Sequence, residues 1–416
     1  MTELEKVFER IDGYRDEIIT FQANLTSKVA LGPENGGEGE HEKADYLKEK
    51  LKELTPCYLE EVKAPDERVK DGYRPNIVAR WECQHKVPTV WVLCHMDIVP
   101  PGDLSLWESD PYKLKIEGDR IIGRGVEDNQ HGIVSSYLAL KAIQESGNNL
   151  KRPVGLALVA DEETGSIFGL DYLLKNRREF FNPDDLIIVP DGGDNEGTMI
   201  EVAEKSMLWI KFTVTGRQCH ASTPDKGKNS LYGAARLIVA LEQLKEEFHL
   251  TDDLFSPALS TFEPTKIEAN VPNINTIPGK DTFYIDCRIL PSYKVDDIIT
   301  SVKKITEYME KELCLSVQVE TVYRQDTVKP TPTDAPVVRV LAEAIKAIKG
   351  LDAKPMGIGG GTVAAFFRQV GLPAAVWITA QDTAHQPNEY CLISNIITDA
   401  KVFASVFMGQ SVEEKL

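Results

Sequence analysis

Four apolar runs in this chain end on residues able to hold a metal ion or move a proton. Thr89-Val90-Trp91-Val92-Leu93-Cys94 meets His95-Met96-Asp97, and Val154 to Ala160 meets Asp161-Glu162-Glu163. Leu186 to Val189 meets Pro190-Asp191, and Ala375-Val376-Trp377-Ile378 runs toward His385. Short β-rich runs bounded by turn residues read as buried strands. Open α/β sheets bind ligands just outside the carboxyl ends of their strands, so metal-ligand side chains at four such ends point to one shared site.

Each piece suggests a task. A metal-bound imidazole needs its other ring N–H held by a carboxylate, which Asp97 can supply to His95. Asp128 lies in Gly123-Arg124-Gly125-Val126-Glu127-Asp128-Asn129, where glycines allow a tight turn before a helix starting near His131, and its carboxylate can bridge two cations. Of the adjacent acids Glu162 and Glu163, one can bind metal while the other takes a proton from activated water. Alone, each element also fits an ordinary surface pair, an N-capping aspartate, an acidic loop, a turn aspartate or a solvated histidine. Five such signals at equivalent topological positions are hard to assign to chance. The ligand count fits two cations, with one bridging carboxylate and one acid plus one histidine for each, leaving a position for water.

The elements that must position these residues read as an interrupted α/β fold. Residues 1–204 alternate helix-period segments (Leu4, Val7, Phe8, Ile11, Ile18 and Leu25; Ala44, Leu47 and Leu51) with apolar strands of the kind found in sheets covered on both faces. From Met207 the pattern becomes alternating: Phe283, Ile285, Cys287 and Ile289 face one way, Thr282, Tyr284, Asp286 and Arg288 the other. With helical segments at Leu231–Leu244 and Val295–Leu313, this predicts a small α+β domain. Lys329-Pro330-Thr331-Pro332-Thr333 reads as a hinge, followed by a helix that stops at Gly350. The boundaries are 1–204 and 329–416 for a catalytic domain with a central, mostly parallel sheet, and 205–328 for an inserted domain.

Composition narrows the partners. The 416 residues suffice for a large core and two domains. A net charge of −18 without a basic patch disfavours nucleic acid and anionic membranes. No run approaches 18 apolar residues, and Met1 to Phe21 carries acids in place of a signal-peptide core, so a cytoplasmic protein is expected. Seven scattered cysteines without a C-x-x-C pair argue against a disulfide framework. The absence of a G-x-S-x-G elbow argues against a serine hydrolase, and Gly357-x-Gly359 lacks the third glycine of a dinucleotide motif.

The ordered motifs are His95-Met96-Asp97, Gly123-Arg124-Gly125-x-x-Asp128, Asp161 to Ser166, Asp191, Gly216-x-x-Cys219-His220-Ala221-Ser222-x-Pro224, Asn275-Thr276-Ile277-Pro278, Asp286-x-Arg288 and Ala384-His385-x-Pro387-Asn388-Glu389. Over nearly the whole chain they resemble the co-catalytic zinc metallopeptidase and deacylase family. That family includes acetylornithine deacetylase, succinyl-diaminopimelate desuccinylase, aminoacylase, carnosine-type dipeptidases and bacterial glutamate carboxypeptidase. The resemblance implies a zinc-exopeptidase-like catalytic domain and an inserted lid that pairs two chains into a homodimer. It implies that His95 and Asp191 bind one ion, Glu163 and His385 the other, and Asp128 both. The ions would be zinc, with cobalt or manganese as alternatives. Glu162 would be the general base, Asp97 the orienter of His95 and His220 the oxyanion donor. Asn275 and Arg288 would contact the substrate, Arg288 through a guanidinium fork suited to a carboxylate. Gly360, Gly361 and Thr362 resemble a substrate-carboxylate loop, but Val363-Ala364 replaces the family's Ser-Asp, and Gln130-His131 stands where Lys-Gly is common. The implied reaction is hydrolysis of the amide of an N-acyl amino acid of the acetylornithine or succinyl-diaminopimelate type. The alternatives are a dipeptidase or carboxypeptidase of the same family, or a non-catalytic ligand-binding member.

Overall fold

The computed structural model describes residues 1–409. They form two compact units: Met1–Val202 with Thr331–Met356 and Phe366 onward, and Ala203–Pro330 with Gly357–Ala365. The glycine-rich segment 357–365 therefore clusters with the second unit, whereas the sequence boundaries had left it with the first.

The first unit is built on an eight-stranded sheet in the order Tyr58–Pro65, Tyr73–Trp81, Val154–Val159, Val90–His95, Leu186–Asp194, Ala374–Thr379, Met199–Glu204, Lys354–Ile358. Its four middle strands, from Val154–Val159 to Ala374–Thr379, run parallel, and the pairings that flank them are antiparallel. Every residue of Val90–His95, Val154–Val159 and Ala374–Thr379 is buried, as expected for strands apolar on both faces. Helix Ile393–Phe407 packs against both Gln130–Glu145 and Pro336–Lys349. The periodic N-terminal stretch forms two helices, Glu3–Asp12 and Arg15–Ser27, separated at Gly13-Tyr14.

One strand departs from its sequence reading. Leu186–Asp194 continues past Pro190, where the apolar run ends. Its register against Ala374–Thr379 shifts from Val189↔Val376 to Gly193↔Ile378, so Pro190, Asp191 and Gly192 occupy a bulge. A bulge accommodates a proline that lacks an N–H and re-aims a side chain. Gly193 makes the pairing possible, because a Cβ there would stand 1.8 Å from the Ile378 carbonyl oxygen.

The second unit holds a four-stranded antiparallel sheet in the order Thr261–Ile267, Lys280–Ile289, Ser206–Thr215, Ser316–Gln325. Leu208, Ile210, Phe212 and Val214 alternate into a core shared with Ala234, Leu237, Ile298 and Val302. These last four come from helices Ser230–Ala240 and Val295–Leu313. Alternation thus reports a sheet with one covered face.

Candidate metal centre

Parallel strands carry their carboxyl ends to one edge of the sheet, and the chemistry gathers there. His95 ends its strand and is 2% exposed. Glu162 and Glu163 open the short turn Glu162–Thr164 just beyond Val154–Val159. Asp191 sits in the bulge, Asp128 precedes helix Gln130–Glu145, and His385 lies in the loop beyond Ala374–Thr379.

The side chains converge. His95 Nε2 is 2.7 Å from Asp128 Oδ1 and 3.3 Å from Asp191 Oδ1. His385 Nε2 is 3.1 Å from Asp128 Oδ2 and 3.0 Å from Glu163 Oε2. Asp128 therefore stands between two imidazoles, one oxygen toward each. Donor atoms of His95, Glu162 and Asp191, and of His95, Asp128 and Glu163, fall within 4.8 Å of one another as two groups able to hold a metal ion.

Neighbouring residues fix these side chains. Asp97, buried, faces His95 Nδ1 at 3.4 Å and accepts the backbone N–H groups of Glu162 at 3.1 Å and Glu163 at 3.0 Å. The hydrogen bond at His95 Nδ1 goes to the Asp97 backbone carbonyl at 3.1 Å, while the Asp97 carboxylate holds the two-acid turn. The Asn129 amide donates to Asp191 Oδ1 at 2.9 Å and to the Pro190 carbonyl at 2.5 Å. Asp128 caps nothing, since the helix cap is Asn129.

Crowded carboxylates shift the ionisation of the group. Burial pushes Glu162 well above the usual carboxylate range, and the charges of Asp191, Glu163 and Asp128 add to it. Burial and Asp128 raise Glu163 to about 7. Burial opposes a charge on His95, but Asp191 and Asp128 overcome it and hold the imidazolium form well above its ordinary range. Hydrogen bonds to Asp128 and Glu163 lift His385 to about 10. Protons thus stand where positive charge is wanted, as an acid-rich cation site requires.

The remaining candidates lie in the second unit. The short strand Cys219–His220 pairs with Thr276–Ile277, and the Ala221 N–H donates to the Asn275 carbonyl at 2.9 Å, so His220 and Asn275 are neighbours. His220 Nδ1 accepts the Ser222 backbone N–H at 3.1 Å, which leaves the proton of a neutral ring on Nε2. Arg288 donates through Nε and Nη2 to Asp286 at 2.7 and 3.0 Å and through Nη1 to the Gly359 carbonyl at 2.8 Å. Thr362 donates its N–H and hydroxyl to Glu204 at 3.2 and 2.7 Å. The loop assigned to a substrate carboxylate thus already holds one of the chain's own.

Sequence reasoning assigned no task to Glu127, Glu389 or Asn129, which grip the ligand loops. Their one signal was position, as polar residues inside or beside the motifs. Their partners lie too far along the chain to be read from it.

A parallel-stranded α/β sheet with imidazoles and carboxylates massed at its carboxyl edge defines a metal-dependent hydrolase. Residues 91–409 match Peptidase family M20/M25/M40, and the chain belongs to that family of hydrolases, which act on amide or peptide bonds and depend on divalent metal. It is similar to an uncharacterised metallohydrolase of Methanococcus maripaludis, 41% identical over 412 residues that cover 94% of this chain and 98% of the relative. A succinyl-diaminopimelate desuccinylase of Nitratiruptor sp. is 27% identical, covering 76% and 86%. Among solved structures, the dipeptidase Dug1p of Saccharomyces cerevisiae aligns with a TM-score of 0.74 at 17% identity, covering 98% of each chain. No helix among the described residues is long and apolar enough to cross a membrane.

Proposed function

We propose that the chain hydrolyses the amide of an N-acyl amino acid, as a cytoplasmic enzyme using two divalent cations, zinc foremost. One observation carries the reading. Glu162, half-buried, sets a carboxylate oxygen within 4.8 Å of His95 and Asp191 donor atoms, and a binding module needs no such base.

The donor set fits the ions. It offers two imidazoles and an excess of carboxylates, and Glu163 Oε1 is buried without a hydrogen-bond partner among the described residues. His95 and Asp191 would hold one ion, Glu163 and His385 the other, and Asp128 both. Bound there, divalent cations would polarise the scissile carbonyl and lower the pKa of water from 15.7 toward ~7. Glu162, with its raised affinity for protons, takes one from the attacking water and passes it to the leaving amine. Asp97 keeps the Glu162-Glu163 turn and His95 in register for that transfer. His220, with its proton on Nε2, is assigned to the developing oxyanion, while Asn275, Arg288 and the Gly360-Gly361-Thr362 loop are assigned to substrate. The second unit is assigned the roles of lid and homodimer contact.

The test is amine release from N-acetyl and N-succinyl amino acids alongside dipeptides, after chelation and reloading with zinc, cobalt or manganese. Metal-dependent turnover of acyl amino acids that disappears in Glu162→Ala is expected. Turnover of dipeptides alone would replace the deacylase with a dipeptidase, and metal uptake without any turnover would favour a ligand-binding role.

A further inference from the structure

Two buried acids outside the ligand set clasp the loops that carry Asp128 and His385. Glu389 is fully buried. Its Oε2 accepts from Arg124 Nη1 at 2.7 Å and the Gly125 N–H at 3.0 Å, and its Oε1 from the N–H groups of Glu127 at 3.0 Å and Asp128 at 3.1 Å. Glu127, 6% exposed, returns the grip. Its Oε2 accepts the Gln381 N–H at 3.0 Å and the Thr383 hydroxyl at 3.2 Å, and its Oε1 accepts the Thr383 N–H at 3.1 Å. Each loop thus supplies the carboxylate that satisfies the other's buried backbone donors, a crossed brace between segments remote in sequence.

The His385 loop needs such a hold. The His385 side chain is 55% exposed, so packing does little to fix it. Asp382, His385 and Asn388 all have positive φ (58°, 64° and 59°), the left-handed region that Asp, His and Asn enter more readily than other non-glycine residues. Among the described contacts, Glu127 is the side chain that reaches back to the N–H groups just ahead of His385. It is also the residue next to Asp128, so one short segment carries both the shared carboxylate and the clamp on the opposing imidazole.

We propose that Glu127 is a positioning residue that sets His385 over Asp128, so that the cation position shared by Glu163, His385 and Asp128 is preorganised separately from the one at His95 and Asp191. The proposal rests on the ligand assignment above. Losing a carboxylate that holds a ligand typically costs 10–100-fold in metal affinity, and here the loss should fall on one ion of the two.

The experiment is a calorimetric titration of the chelated full-length chain with Co²⁺ alone, following the visible absorption of each bound ion. It compares wild type, Glu127→Gln and His385→Ala. Two ions are expected in wild type. Glu127→Gln should bind the first ion as wild type does and the second about 10–100-fold more weakly, with the absorption changes of His385→Ala. If Glu127→Gln does not fold, Glu127→Asp keeps the charge but retracts it from the loop and should show the same selective loss. Wild-type affinity for the second ion in Glu127→Gln, or an equal loss at both ions, overturns the brace. Fewer than two ions in wild type overturns the ligand assignment first, and the brace with it.

Discussion

His220 and Asp97 are held by different hydrogen bonds, and the roles proposed for them differ accordingly. Ser222 occupies His220 Nδ1, so the ring is set to donate from Nε2. A donor that acts on charge developing in the transition state is worth about 10²–10³ in kcat. His220→Ala should therefore lower kcat by about that factor and change KM little. Steady-state kinetics on the best substrate checks this, and near-wild-type turnover would remove His220 from the reaction. Asp97 is different, because its two oxygens accept two backbone N–H groups. In Asp97→Asn an amide donor must face one of those N–H groups, so the Glu162-Glu163 turn should shift and metal retention fall by about 10–100-fold. Equilibrium dialysis against a chelator would read it. The histidines and acids of the centre were legible because side-chain type and position after an apolar run are both local facts. Glu127 and Glu389 were not, because a buried acid that accepts backbone N–H groups from a distant loop looks in sequence like any other acid.

At the level of elements, strand pairing decides where Asp191 points. The buried parallel strands could be read directly, since residues apolar on both faces admit few other structures. The bulge at Pro190-Asp191-Gly192 could not. It exists only against Ala374–Thr379, a partner far along the chain. Gly193 lies where the two backbones approach most closely, so Gly193→Ala should push the strands apart. Overpacking of this kind costs about 1–3 kcal/mol. It should also weaken metal binding by moving Asp191, whereas a clash remote from the centre would cost stability alone. Thermal melts with and without metal distinguish the two.

Across the whole molecule, the ionisation of the centre ties stability to pH. With metal removed, His385 carries its proton up to about 10 rather than 6.5, and His95 is raised as well. Because the folded-state values lie above the ordinary one, this stabilisation is fully present below about 6.5 and fades as pH rises through the folded values. The melting temperature of the chelated protein should fall between pH 7 and 10. Metal at 100 times its dissociation constant should restore about 2.7 kcal/mol, and its binding should release protons, measurable by calorimetry in buffers of different ionisation enthalpy. The division into two units was legible from the change in hydrophobic period near Met207, but the return of residues 357–365 to the second unit was not, because glycine-rich sequence carries no period. The same chain order bears on biosynthesis. Ala374–Thr379 lies in the sheet between Leu186–Asp194 and Met199–Glu204, yet a ribosome makes it only after both neighbours and the whole of the second unit. Until then the Asp191 strand keeps an unpaired edge, which exposes a nascent chain to aggregation. His385 arrives later still, so the proposed ligand set is complete only after Ala374–Thr379 has been made.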